Sequence, residues 1–209
     1  MDLKKYLFEA MDKHLLGDDK PSEYFKSLDK TEVYSEYPFT MLGNLANTEQ
    51  SPKYHPEGSV WNHTMLVIDE AAQMKMKSSD NRVFMWATLL HDIGKPDTTR
   101  NRKGKITSYD HDKLGAELAR AFLKQFHEDK EFIEKVVALV RWHMQILHVV
   151  KSLPFADIKS MKEQAPINDV ALLGLCDRLG RLGADKKEEE ENIRIFLKKS
   201  TNNYNYSFS

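Results

Sequence analysis

Apolar residues recur at spacings of three and four along almost the whole chain, and stretches that alternate apolar with polar residues are scarce. Leu3, Leu7, Phe8, Met11 and Leu15 set this rhythm near the N-terminus; Val60, His63, Thr64, Val67, Ala71 and Met74 repeat it further on. A 3.6-residue period puts such positions on one face of a helix, whereas a half-buried strand needs a period of two. The chain is therefore expected to be all-α. Its 209 residues suffice for one core, so a single helical domain over 1–199 is the simplest organisation. Residues 200–209 are polar with Tyr204, Tyr206 and Phe208, and read as a flexible tail or an oligomer contact, in keeping with a homodimer.

Punctuation divides the rhythm. Ser22 is expected to cap a second helix carrying Tyr24, Phe25 and Leu28. Residues 43–59, with Gly43, Pro52, Pro56 and Gly58, form a long connection of the kind that is usually functional or poorly ordered. Ser59 caps a helix to about Lys77, and Asp80 caps the next. Thr98 to Tyr109 is too polar and glycine-punctuated for a helix and reads as a loop or a short hairpin near 98–109. Asp110 or a neighbour starts a helix through Phe122, another runs from roughly Asp129 to Trp142, and a short one follows Ser152-Leu153-Pro154. Asn168 caps a helix carrying Val170, Leu173, Cys176 and Asp177. The last, about Asp185 to Lys199, begins acidic and ends basic, matching the helix dipole.

The chemistry is expected where the apolar run Phe84 to Leu90 is closed by His91-Asp92. An imidazole and a carboxylate at a buried helix end are two ligands for a divalent metal. Adjacent helical residues point about 100° apart, so both reach one ion only if the backbone turns there. Gly94 and Pro96 supply that turn. His63, His111 and His143 also sit at ends or early turns of apolar helices, and Asp177 interrupts an apolar face. Singly each has an ordinary reading, a hydrogen-bonded core histidine, a cap, or a carboxylate paired with Arg178 or Arg181; jointly they suit a site assembled from several helices. His14, His55, His127 and His148 lack such company and are assigned no role. Lys95 follows the dipeptide closely and can meet a substrate phosphate or simply cap a helix end. Arg100, Arg102, Lys103 and Lys105 form either a phosphate- or RNA-binding segment or a charged turn, and Arg178 and Arg181 can clamp phosphate or orient Asp177. Trp61, Trp86 and Trp142 lie near these helices, as core or as base-stacking surfaces.

Other function classes lose support. A net charge of -1 gives no global basic field for strong non-specific nucleic-acid binding, so any RNA must be held locally. A single cysteine, Cys176, rules out an intramolecular disulfide or a multi-cysteine zinc site and fits a reducing compartment. No apolar run approaches the ~18 residues of a membrane span, and the first residues lack a signal-peptide core, so a cytoplasmic protein is expected. Phosphate-loop, serine-elbow and His-Glu-x-x-His patterns are missing.

Longer strings are more specific than the dipeptide: Tyr54-His55-Pro56-Glu57-Gly58-Ser59-Val60-Trp61-Asn62-His63-Thr64, Leu89-Leu90-His91-Asp92-Ile93-Gly94-Lys95-Pro96, and Asp177-Arg178-Leu179-Gly180-Arg181. They resemble the HD superfamily of metal-dependent phosphohydrolases, and within it the HD region carried by bacterial CCA-adding tRNA nucleotidyltransferases. Lys20-Pro21-Ser22, Tyr24-Phe25, Tyr37-Pro38-Phe39 and Gln50 extend the resemblance over residues 20–182. It implies an HD-type helical bundle with His63, His91, Asp92 and Asp177 around one divalent ion, and in dinuclear relatives a second ion on His111 and His143 bridged by Asp92. The stretch Asp110-His111-Asp112 departs from the glutamate that usually follows that histidine. Manganese, iron, nickel, cobalt, magnesium and zinc are the candidate ions. Nothing matches the Gly-rich strand-turn or paired aspartates of a nucleotidyltransferase head, so CCA addition is not expected.

The implied activity is that of a phosphodiesterase or phosphatase acting on nucleotides or RNA-terminal phosphates, 2′,3′-cyclic esters first among them, through a metal-activated hydroxide. Asp92 and Lys95 would be catalytic, with Arg100, Arg102, Arg178 and Arg181 on the substrate. The alternative is a non-catalytic module that recognises a nucleotide or tRNA end around a structural metal.

Overall fold

The computed structural model describes residues 3–201. In chain order its elements are α1 (Leu3–Gly17), α2 (Pro21–Ser27), α3 (Thr40–Gly43), α4 (Val60–Met74), α5 (Asn81–Leu90), α6 (Lys95–Thr98), the strands β1 (Thr99–Arg102) and β2 (Lys105–Ser108), then α7 (His111–Lys124), α8 (Lys130–Trp142), α9 (Gln145–Val150), α10 (Ile158–Gln164), α11 (Ile167–Leu179) and α12 (Lys186–Thr201). Short 3-10 turns link several of them. The fold is all-α apart from one antiparallel hairpin, the second of the two forms expected for 98–109.

The most apolar segment lies at the centre. Every residue of α5 from Val83 to Leu90 is buried, and α1, α4, α8 and α11 pack around it. Trp86 is fully buried and stacks on Phe8 at 4.5 Å between ring centroids. Its indole N–H donates to Asp12 Oδ1 (2.7 Å), which also accepts from Arg82 Nε (2.7 Å). One carboxylate thus satisfies a buried donor and fastens α1 to α5. Trp142 and Trp61 are buried too, at 3% and 5% exposure, so all three tryptophans serve the core and none is open to a base.

Two of the expected caps are in place. Ser59 accepts from the Asn62 N–H, and Asp80 from those of Arg82 and Val83. Two others are corrected. Ser22 lies inside α2, which starts at Pro21; its hydroxyl donates to Asp69 Oδ2 (2.7 Å) and its N–H to Asp69 Oδ1 (3.0 Å), tying α2 to α4. Asn168 lies inside α11, which begins at Ile167 after Pro166. The short α9 was not anticipated, and α12 runs two residues past Lys199, with Ser200 buried. The tail expected at 200–209 otherwise falls outside the described residues.

Candidate metal centre

Five segments deliver the side chains singled out above. α4 carries His63 just beyond its Ser59 cap, the turn after α5 carries His91 and Asp92, α7 opens with His111, His143 follows the end of α8, and α11 carries Asp177. All six are buried. The turn can reach α7 because position 94 has no side chain: a Cβ there would stand 2.3 Å from the His111 carbonyl oxygen and 2.7 Å from the Gly115 nitrogen. Backbone therefore lies against backbone, and Asp92 faces His111.

Hydrogen bonds fix how three of the rings present themselves. His91 Nδ1 donates to the Thr88 carbonyl (2.7 Å), His111 Nδ1 to that of Ser108 (2.6 Å) and His143 Nδ1 to that of Val140 (2.7 Å). A carbonyl only accepts, so each Nδ1 carries the proton and each neutral ring offers an Nε2 lone pair. Those nitrogens converge. His111 Nε2 and His143 Nε2 are 3.2 Å apart, and they stand 3.5 and 3.9 Å from Asp92 Oδ1. His91 Nε2 is 3.2 Å from Asp92 Oδ2 and, though buried, has no hydrogen-bond partner. Electron-rich atoms at such separations need a cation between them, a proton or a metal ion. Mixed imidazole and carboxylate donors suit transition metals, and the arrangement fits a divalent ion.

On the other side of Asp92, His63 Nε2 is hydrogen-bonded to Asp177 Oδ1 (2.9 Å), and its ring centroid is 5.7 Å from that of His91. Among the described residues three groups could hold a metal: His63, His91 and Asp92; Asp92, His111 and His143; and His55, Glu57 and His63; Asp92 is common to the first two. Asp177 contacts Arg181 as well as His63. Lys95 Nζ sits 2.7 Å from Asp92 Oδ2 and donates to Gln50 Oε1 (2.6 Å).

Not every expected residue joins the cluster. Arg178 was expected on the substrate, but its guanidinium donates to Glu189 Oε2 of α12 (2.8 Å) and is committed there. Arg181, in the turn just after α11, reaches back to Asp177 Oδ2 (3.3 Å) and orients it. Arg100 donates to the carbonyls of Asp97 and Thr99 at the foot of the hairpin, and Arg102 is exposed on β1. Conversely, His55, given no role from sequence, belongs to the site. Its Nδ1 is 2.9 Å from Glu57 Oε1, the same oxygen that stands 2.9 Å from His63 Nδ1. Glu57 Oε2 also accepts from the Leu182 N–H (3.3 Å), so this carboxylate joins the loop before α4 to the one after α11. The string from Tyr54 to Ser59 was the available signal for this group.

Burial and charge set the protonation of these groups. Burial opposes the charge on Asp92, yet His91 and Lys95 outweigh it and hold the carboxyl well below its usual range. Burial likewise opposes Asp177, and Arg181 and His63 prevail. His91 is raised, because the Asp92 carboxylate overcomes the effect of burial. Three imidazoles move the other way. Burial pushes His55 down to about 4, helped by the positive charge of Lys95. It also lowers His111 and His143, the latter reinforced by His111 and His91. Below the ordinary histidine value of about 6.5 the unfolded chain takes up protons at these three positions that the folded chain refuses. Stability of the metal-free protein is therefore expected to decline as pH drops from about 6.5 towards 4. His91 leaves this interval untouched, since its contribution is complete below 6.5 and is lost only as pH rises through its raised folded value. Thermal melts across the same interval check the sign; a Tm that climbs on acidification would contradict it.

A model of the HD domain family matches residues 60–182. The chain belongs to the HD domain family. The HD match reaches from the start of α4 past Arg181, so it contains all six side chains of the centre, while His55 and Glu57 lie just before it. The HD chain is also similar to multifunctional CCA proteins: 27% identical over 128 residues to that of Hahella chejuensis (61% of this chain, 29% of the relative) and 32% over 149 residues to that of Aromatoleum aromaticum (68% and 35%). The similarity to the Methylococcus capsulatus protein is 25% over 186 residues, covering 87% of this chain and 37% of the relative. The HD chain thus spans about a third of the length of these curated relatives. Among the described residues no helix is long and apolar enough to cross a membrane.

Proposed function

We propose that this HD protein is a divalent-metal-dependent phosphohydrolase, a phosphodiesterase or phosphatase, acting on nucleotides or on the terminal phosphates of RNA. The observation that carries the proposal is the convergence of His91, His111 and His143 Nε2 on Asp92, each imidazole locked by its Nδ1 hydrogen bond. His63, His91, Asp92 and Asp177 would hold one ion, and Asp92, His111 and His143 a second. A divalent ion bound there supplies Lewis acidity toward a phosphoryl oxygen and brings the pKa of water towards neutrality.

The chain's own groups do the rest. Asp92 positions both halves of the centre. Lys95, held between Asp92 and Gln50, places a positive charge where a phosphoryl oxygen gains negative charge. Glu57 braces His63 from the far side, and Arg181 keeps Asp177 ionised and aimed. The similarity to multifunctional CCA proteins favours an RNA end, with a 2′,3′-cyclic phosphate as the first ester to try.

Elemental analysis of the purified protein is expected to give one or two transition-metal ions per chain. Dialysis against a chelator should lower hydrolysis of a simple phosphodiester at least about a hundredfold, with recovery on adding manganese, nickel or cobalt. Absence of bound metal together with no turnover in any of these ions would refute the proposal.

A further inference from the structure

The hairpin between α6 and α7 is built around a charge conflict. Its register pairs Thr99 with Ser108, Arg100 with Thr107, Asn101 with Ile106 and Arg102 with Lys105. Directly paired residues share a face of the ribbon, and faces alternate along each strand. One face therefore carries Arg100, Arg102, Lys105 and Thr107, and the other Thr99, Asn101, Ile106 and Ser108. Arg102 and Lys105 are like charges directly opposed, which weakens a hairpin. Lys103 adds a fourth cation in the turn, where it and Gly104 both have positive φ (54° and 79°) as a tight two-residue turn requires. No acidic residue lies between Thr99 and Ser108, in a chain whose net charge is -1. The flanking acids are Asp97 and Asp110, and Asp110 is paired with Lys113 (2.7 Å).

Position gives this charge a meaning. The ribbon leaves the centre at α6, which begins with Lys95, and returns at Ser108, whose carbonyl accepts from His111 Nδ1. Tyr109, 72% exposed, follows Ser108 in the chain and precedes His111 by two residues, an open aromatic side chain at the end of the ribbon. Cations along a ribbon with an aromatic ring at its foot are the elements that hold single-stranded nucleic acid: charge for the backbone, a ring for a base.

We propose that the cationic face of the β1–β2 hairpin, with Tyr109 at its foot, binds the single-stranded RNA leading into the metal centre. The substrate is then an RNA end and not a free mononucleotide. This inference rests on the phosphohydrolase reading above, and binding measurements keep the two separable.

The test compares wild type with R102E/K103E/K105E and with Tyr109→Ala, each checked for an unchanged circular dichroism spectrum. Substrates are a ten-nucleotide RNA ending in a 2′,3′-cyclic phosphate and the corresponding cyclic mononucleotide. The triple variant is expected to lose at least about tenfold in kcat/KM on the oligonucleotide, and Tyr109→Ala about fivefold or more, with the mononucleotide unchanged within about twofold. Fluorescence anisotropy with the same RNA reads binding without turnover. The triple variant should bind at least about tenfold more weakly, and its log Kd should depend less steeply on log salt, by about two units of slope. Loss of RNA binding with no hydrolysis in any metal would sustain the hairpin's role and sink the hydrolase. A wild type with no preference for the oligonucleotide, equal losses on both substrates, or equally tight binding of a glutamate decapeptide would each overturn the proposal.

Discussion

Asp92→Asn is expected to lower turnover at least about a thousandfold, about 4 kcal/mol of barrier, while the protein stays folded. Asparagine keeps the size and one carbonyl oxygen but removes the negative charge that His91, His111, His143 and Lys95 all face. Asp92 belongs to two of the three groups able to hold a metal among the described residues, so the loss should appear in metal content as well as in rate. Removing the charge leaves the largely buried Lys95 with Gln50 as its remaining polar contact of the two, so a lowered Tm is expected beside the kinetic loss. Kinetics on a simple phosphodiester, elemental analysis and a thermal melt together provide the check. Hydrolysis retained near the wild-type rate in a clean preparation would remove Asp92 from the centre of the mechanism.

Gly94→Ala should produce the second large effect, and through backbone instead of charge. The added methyl would meet the His111 carbonyl and the Gly115 nitrogen at distances no rotamer can relieve. Overpacking of this kind costs about 1–3 kcal/mol, which for a chain of this size lowers Tm by roughly 2–12 °C. Relaxation must push α7 away from the turn and carry His111 with it, away from Asp92. Metal retained on the His111 and His143 side is therefore expected to fall before that on the His63 side. Gly17→Ala is the matched control, because nothing lies within 4 Å of a Cβ there. If both alanine variants melt together with wild type, the close approach at Gly94 is not what sets the spacing of the centre.

What could be read from the sequence follows from how far each signal reaches along the chain. Ser59 and Asp80 act on N–H groups two or three residues away, and both caps were legible. Ser22 and Asn168 look like caps by composition, but a proline starts each helix earlier. Pro21 has the φ and the missing N–H that suit a first turn, and Pro166 precedes α11 directly. The centre was legible wherever a polar residue interrupts an apolar run, as at His91-Asp92 and Asp177. Arg181 and Arg178 separate on position: Arg181, in the turn that follows α11, folds back onto Asp177, whereas Arg178, still in the helix, points to Glu189 of α12. His55 and Glu57 were given no role although His55 meets Glu57 and Glu57 meets His63 nearby in the chain; what the sequence does not record is the contact that closes the group. Glu57 meets Leu182 only once the whole bundle has closed, and no local pattern records that.

Because the six side chains come from segments spread between His63 and Asp177, a partly assembled chain offers an ion only fragments of its shell. An ion that prefers the complete shell binds the native state and not the unfolded one, and mass action then adds its binding free energy to the stability of the fold. A free concentration one hundred times the Kd contributes about 2.7 kcal/mol. On the proposed reading, the supply of metal around the protein thus sets the stability of the bundle as well as its capacity to react.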